Sequence, residues 1–181
     1  NRLENKRLIN KLNNPKTQSY LEFKNFVLSL IFPWYWNSSI GSPHLNTDGY
    51  HNLGHYGHVF LDRPEQVKNR IPRQTSEHLD KVSDVILEIL EFNNVEINSF
   101  IRISANCVHP SNEILKSTPH VDHEFEHKNI LLYLTSAGGS TVVEDEVFNP
   151  SEDDVIVFDG KMHYMQTPEK ERRVILVATF V

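Results

Sequence analysis

Residues 118–135 read TPHVDHEFEHKNILLYLT. The first part is polar and crowded: His120, Asp122, His123, Glu124, Glu126 and His127 can each hold a metal or move a proton. The last part, NILLYLT, is an apolar run of strand length. The stretch therefore leads from a cluster of ionisable groups into β structure. Which of the six groups act together depends on what other strands bring to them.

Working outward, the segment TSEHLDKVSDVILEILEF upstream sets Leu79, Val82, Ile86, Ile89 and Leu90 on one helical stripe, with Thr75 or Ser76 able to cap its first turn. After Asn93–Asn94 the hydrophobic period changes and stays changed. Strand-like runs follow at 97–107, 130–135, 140–143, 155–158, 162–165 and 173–180. Their separators are Pro110, Gly138–Gly139, NPSEDD and the Asp159–Gly160 of VIVFDGKMHYM. Asp-Gly between strands favours a two-residue hairpin, which would hold His163 on a rigid strand just after the turn.

A second helix is expected at 17–31, where Tyr20, Phe23, Val27 and Ile31 recur at helical spacing before Pro33. Residues 1–16 fit a short helix or a loose arm, and FPWYW fits a strand or a groove lining. Residues 37–74 are full of turn formers and read as long irregular connections with a short strand at HVFL. A loop of that length usually has work to do, which makes it a candidate lid or substrate-facing surface. Helices first and short antiparallel strands afterwards give an α+β chain with a C-terminal sandwich or barrel.

Composition bounds the function. The 181 residues, 39% of them hydrophobic, suffice for one core and one domain. A net charge of −6 carries no basic footprint for nucleic acid. The single cysteine, Cys107, excludes an intramolecular disulfide framework and a thiolate cluster, and its place in ISANCVH suits core packing. No apolar run approaches the ~18 residues of a membrane span, and NRLENKRLINKL lacks a secretory core. A soluble cytoplasmic protein is the expectation.

His120 and Asp122 lie one residue apart, so on an extended backbone they face the same way. Two ligands hold a metal poorly, and His163 is the best-placed third. Two histidines and a carboxylate on one octahedral face leave three positions open, the arrangement that suits oxygen-activating non-haem Fe(II). His123, Glu124 and His127 read as surface or supporting groups. Glu126 shares the parity of the pair and can face the pocket mouth. Thr135 and Asp159 can orient ligands by hydrogen bonds, although Asp159 also fits a turn cap. In RRVILVATF, alternation puts Arg173, Ile175, Val177 and Thr179 on one face and Arg172, Val174, Leu176 and Ala178 on the other. An inward arginine needs an anion, and a carboxylate fits its fork; the bland alternative seats both arginines at the solvated mouth of an edge strand.

The segments TPHVDHEFEHKNILLYLT, GGSTVV, DDVIVFDGKMHYMQTP and RRVILVATF resemble successive pieces of the Fe(II)/2-oxoglutarate-dependent oxygenase superfamily, over roughly residues 97–181. Within it, the prolyl 4-hydroxylase-like branch and its small phage and bacterial relatives are most similar, and FPWYW resembles the front part of the phage-type members. The resemblance implies a double-stranded β-helix (jelly-roll, cupin-like) core with N-terminal helices packed against it. It implies one oxygenase domain over 1–181, with 1–96 mainly helical and loop support and 97–181 the main part of the β-helix. It makes His120, Asp122 and His163 the Fe(II) ligands and Arg173 the 2-oxoglutarate anchor, with Arg172 as the off-register alternative. Tyr133 then helps to bind the 2-oxoglutarate tail. Prolyl hydroxylases often carry a tyrosine on the strand before H-x-D; RISANCVHP has none, and Asn106 is the substitute hydrogen-bonding group. The loop before the motif is also rewritten, as VHPSNEILKSTP.

The same resemblance implies a dioxygenase that uses O2, with ascorbate as a reductant, and releases succinate and CO2. It hydroxylates an unactivated C–H bond of a peptidyl proline or other protein side chain. Arg102 then borders the substrate cleft; FPWYW either borders it too or forms a structural aromatic cluster, the favoured reading. A free amino acid or small metabolite is the alternative substrate. A non-enzymatic cupin-like metal-binding or structural protein is the alternative class. In a phage-encoded protein the compartment is the host-cell cytoplasm.

Overall fold

The computed structural model describes residues 7–40, 49–64 and 71–181. The parts of the 1–16 arm and of the 37–74 connection that fall on 1–6, 41–48 and 65–70 lie outside the described residues. In chain order the elements are β1 (Ile9–Leu12), α1 (Gln18–Leu28), β2 (Tyr35–Asn37), β3 (His55–Asp62), β4 (Arg73–Gln74), α2 (Leu79–Phe92) and β5 (Phe100–Val108). There follow β6 (Lys128–Tyr133), β7 (Thr141–Val143), β8 (Glu146–Phe148), β9 (Val155–Asp159), β10 (His163–Met165) and β11 (Arg173–Phe180). The main sheet has the order β1-β9-β6-β11-β5-β3-β2, with β4 on β3; the small sheet is β10-β7-β8. All of these pairings are antiparallel.

Alternation along the central strands divides the interior in two. One face of the main sheet sends Ile103, Ala105, Cys107, Ile130, Leu132, Val174, Leu176 and Phe180 against both helices. The helices answer with Tyr20, Phe23 and Val27 from α1 and Val82, Val85, Ile86, Ile89 and Leu90 from α2. The other face sends Leu131, Tyr133, Ile156, Phe158, Ile175 and Val177 toward Val143 of the small sheet. β11 is buried along its whole length because both faces are covered. Residues 115–120 extend the small sheet irregularly along β10. Ser117 N–H donates to Met165 O at 2.9 Å, and His120 and His163 exchange N–H···O bonds of 3.0 Å in both directions. The result is a jelly roll with two helices on its outer face, an α+β fold.

Several local expectations are corrected. Asp159–Gly160 does not close a hairpin, because β9 and β10 belong to different sheets. A type I′ turn needs φ > 0 at the glycine, which Gly160 does not adopt. Glycine is required there because a Cβ would meet the His127 ring at 2.4 Å. Residues 9–12 form neither helix nor loose arm but an edge strand on β9, with Glu146 accepting the Leu8 N–H at 2.7 Å. α1 ends at Leu28, where Ser29 turns extended and its hydroxyl donates to Phe26 O, so Ile31 is 80% exposed. α2 starts at Leu79, after Ser76 has accepted the His78 N–H at 3.2 Å. The glycines of LGHYGH make close approaches instead of turns: a Cβ on Gly54 would meet the Trp36 ring at 2.4 Å and one on Gly57 the Asn37 side chain at 3.0 Å, and β3 begins just after Gly54 and runs on through Gly57.

A polar clasp ties α1 to the connection before β9. Lys24, 8% exposed, reaches Glu152 and Asp153 at 2.6 Å each, and Tyr20 donates to Asp153 at 2.6 Å. Burial pushes the Asp153 carboxyl up, but bonds from Lys24, Tyr20 and Lys16 outweigh it and hold its pKa below the usual carboxylate value. Its stabilisation is therefore complete above the unfolded pKa of about 4 and is lost as pH falls through the lower folded value. Asp153→Asn is expected to cost about 1.5–3 kcal/mol at pH 7 in urea unfolding, the worth of hydrogen bonds to a charged group. The difference from wild type should shrink steadily below pH ~4; a difference constant in pH would refute the clasp.

Candidate metal centre

The paired backbones of residue 120 and residue 163 set two imidazoles side by side, with ring centroids 4.5 Å apart. Asp122, two residues on, turns its carboxylate to the same spot, with Oδ2 3.4 Å from His163 Nε2. One ligand atom from each of His120, Asp122 and His163 lies within 4.8 Å of the others. Both rings face backbone carbonyls through Nδ1, His120 toward Thr118 O at 3.2 Å and His163 toward Lys161 O at 2.8 Å. A carbonyl can only accept, so Nδ1 carries the proton and Nε2 keeps its lone pair for a metal.

Electrostatics prepare the same set. Burial, with His163 beside it, pushes the His120 pKa down against Asp122 and Thr118, which favours the neutral ring. Burial alone would raise Asp122; His163, Arg102, His120 and Arg63 outweigh it and hold the pKa at about 2. Two imidazoles, each with Nδ1 on a backbone carbonyl, and an ionised carboxylate are a donor set that fits non-haem Fe(II). Arg102 Nη1 and Arg63 Nη2 stand 3.6 Å and 3.8 Å from Asp122 Oδ1, the oxygen turned away from His163. Arg63 had no signal in the sequence, because it sits just past β3 in a stretch read as irregular connection.

Behind the triad is a cavity of about 80 Å³ that Arg173, Thr141, Asn106 and Ile175 help to line. Arg173 is 3% exposed, and no carboxylate among the described residues ion-pairs with it. Its Nε donates to Gly139 O at 3.0 Å and its Nη2 to Thr141 Oγ1 at 2.9 Å, while the guanidinium lies 5.3 Å from the Tyr133 ring centroid. Burial pushes its pKa down, partly offset by Tyr133. The Tyr133 hydroxyl is 2.6 Å from the same Thr141 oxygen. Asn106 sits on the inner face of β5, opposite Ile175 of β11.

Other candidates separate from this group. Arg172 points away and donates to Leu28 O at the end of α1. His123 and His127 are buried, not superficial: His123 Nε2 lies 2.7 Å from Thr179 Oγ1, and His127 Nδ1 2.7 Å from Phe125 O. Glu124 and Glu126 are exposed. Thr135 spends its hydroxyl on β11, donating to Arg172 O and accepting from Val174 N on either side of Arg173. Asp159 is exposed at the end of β9.

Solved structures share this architecture. A 2OG-Fe(II) oxygenase family oxidoreductase from Burkholderia pseudomallei superposes with a TM-score of 0.59 at 12% identity, covering 82% of this chain and 72% of that one. A Trichoplax adhaerens prolyl hydroxylase, in complex with a hypoxia inducible factor peptide, gives 0.54 at 12% identity and covers 97% and 84%. The fold is that of the 2OG-Fe(II) oxygenases. A non-haem α-ketoglutarate-dependent epimerase from nogalamycin biosynthesis also shares it, with a TM-score of 0.60 at 10% identity, covering 96% and 77%. No protein-family model matches the chain, and no curated protein matches it.

The Gly138–Gly139 separator has a second role beside Arg173. Gly139 has φ +76, and a Cβ there would meet Arg173 Cδ at 2.7 Å and Gln166 O at 2.8 Å. Gly139→Ala is expected to cost about 1–3 kcal/mol of stability, while Gly138→Ala, with nothing within 4 Å of its Cβ, should pay only for its φ of +72. Urea unfolding of the two variants checks this. Equal losses in both would refute a cradle for Arg173.

Proposed function

We propose that the protein is an Fe(II)/2-oxoglutarate-dependent dioxygenase that hydroxylates an unactivated C–H bond. The observation that carries this reading is the placement of a His-Asp-His donor set and a buried arginine on one cavity. His120, Asp122 and His163 would hold Fe(II) through two Nε2 atoms and a carboxylate oxygen. With 2-oxoglutarate and O2 bound, that centre supplies the oxidation, and succinate and CO2 leave as co-products. Ascorbate fits as a reductant.

The residues of the chain bind, orient and exclude water. Arg173 lies at the apolar back of the cavity, where its fork can pair with the distal carboxylate of 2-oxoglutarate. Thr141 holds both the guanidinium and the Tyr133 hydroxyl, so the tyrosine supports that carboxylate's partner Arg173 through Thr141. Asn106 lines both this cavity and the outer cleft and offers an amide between them. Ile175, Val177 and Leu131 keep the wall apolar, which strengthens every charge interaction inside.

The primary substrate would enter the outer cleft of about 500 Å³ between β2, β3 and β5. A peptidyl side chain is one occupant, in keeping with the peptide bound by the Trichoplax prolyl hydroxylase. A small metabolite is the other, in keeping with the nogalamycin epimerase. The acidic balance, −6 overall, disfavours nucleic acid. Among the described residues no helix is long and apolar enough to cross a membrane.

Anaerobic addition of Fe(II) and 2-oxoglutarate should produce a weak visible charge-transfer band. Asp122→Ala and His163→Ala should abolish it while far-UV circular dichroism stays unchanged. A band that survives both His120→Ala and His163→Ala would sink the proposed centre. Arg173→Lys keeps the charge but loses the fork, and should raise the 2-oxoglutarate Kd by about 10-fold or more.

A further inference from the structure

The outer cleft is lined largely by hydrogen-bond donors. Arg63 and Arg102 stand over Asp122 on its wall, and His55 faces the same space. Arg63 is held loosely: Nη1 reaches Asp122 O at 3.4 Å and Nη2 approaches Oδ1 only to 3.8 Å. A guanidinium has five N–H donors, and bonds to carboxylates normally run near 2.7–2.9 Å, so most of this fork is unused. His55 Nδ1 is buried with no hydrogen-bond partner, and burial, with Arg102 nearby, pushes the pKa of this ring down to about 4. A neutral imidazole that is left without a partner is a second donor or acceptor open to a ligand.

Charge points the same way. Among the described residues the charged groups lining the two cavities are Arg63, Arg102, Arg173, Asp62 and Asp122. Three arginines against two aspartates leave one positive charge. A divalent metal and the 2-oxoglutarate dianion cancel, so loading leaves this balance among the described residues unchanged. Placed in a cleft with low-dielectric walls, it favours a singly negative group.

We infer that Arg63, with Arg102, receives a carboxylate of the primary substrate beside Asp122. This rests on the dioxygenase reading for the chemistry, but the recognition itself is a property of the cleft. The carboxylate comes either from a free amino or carboxylic acid or from an acidic residue of a peptide. Its position next to Asp122 brings the carbons attached to it close to the metal ligands. A peptidyl proline with neutral flanks would leave Arg63 unmatched.

The test uses the full chain and matched acid/amide pairs as probes: the free amino acids against their amides, and short peptides with Asp or Glu against the same peptides with Asn or Gln. Binding is read by calorimetry with and without Fe(II) and 2-oxoglutarate, and turnover by stimulated succinate release. The expected result is an acid preferred over its amide by about tenfold or more. Arg63→Met should erase that preference and Arg63→Lys restore part of it, with melting temperatures reporting the fold. A response to free acids assigns the first source, and a response only to acidic peptides the second. Amides as good as acids, no acid bound by any readout, or a preference that survives Arg63→Met overturns the inference. If the Fe(II)–2-oxoglutarate band never forms, the dioxygenase reading fails. The acid-over-amide comparison on metal-free protein still decides this one.

Discussion

Two backbone hydrogen bonds between His120 and His163 join the irregular segment before β6 to β10. Neither partner lies in the main sheet, and the sequence between them crosses to the main sheet and back twice. Once this pair is closed, the two imidazoles must stand on the same side of an antiparallel bridge, and the bend at Asp122 turns its carboxylate to the same spot. The neighbouring bonds at Ser117, Leu115 and Thr167 fix the register over five more residues. A site with candidate ligands 43 residues apart is therefore only as accurate as one short ladder. The cost of losing it falls on chemistry before it falls on stability, because the two main apolar clusters lie mostly on other strands.

Buried charge is the second constraint, and the fold handles its two cases differently. Asp122 is surrounded by compensation, from two arginines and two imidazoles, so it ionises easily despite burial. Among the described residues Arg173 meets dipoles and no carboxylate: a carbonyl, a hydroxyl, the Met165 sulfur and the face of a tyrosine ring. Dipoles orient a guanidinium without neutralising it. A fold that keeps a cation in that condition at the back of a cavity gives up stability for readiness to bind an anion.

What could be read in the sequence depends on the range of the interactions involved. The α2 stripe, the strand runs of the second half and the inward parity of Arg173 are local patterns, and each has its counterpart in the structure. Distant packing is what escaped. Asp159–Gly160 carries a hairpin signature, yet its glycine makes room for His127 from another segment. Gly54 yields to Trp36 in the same way, and with Gly57 it hid the start of β3, of which only HVFL was legible. Strand β1 has little intrinsic preference and forms because β9 offers it an edge. Arg63 lay beyond reach because nothing within its own segment says that β3 delivers it to Asp122.

The arrangement of charge along the two connected cavities also bears on the order of binding that the proposed function implies. They share Arg102, Asn106, His120 and Asp122, so two of the three triad residues stand at the passage between them. Cations lie at both ends, Arg63 in the outer cleft and the buried Arg173 in the inner cavity, with the Asp122 carboxylate between. Under that proposal an incoming dianion would be attracted at Arg63, where solvent screens the field, and more strongly at Arg173, where it does not. It would therefore settle deepest, with its second carboxylate left toward the histidines. A smaller monoanion arriving afterwards would find the deep cation satisfied and Arg63 unmatched. The order in which two acids would occupy such a site follows from the screening of two arginines, with no moving part required.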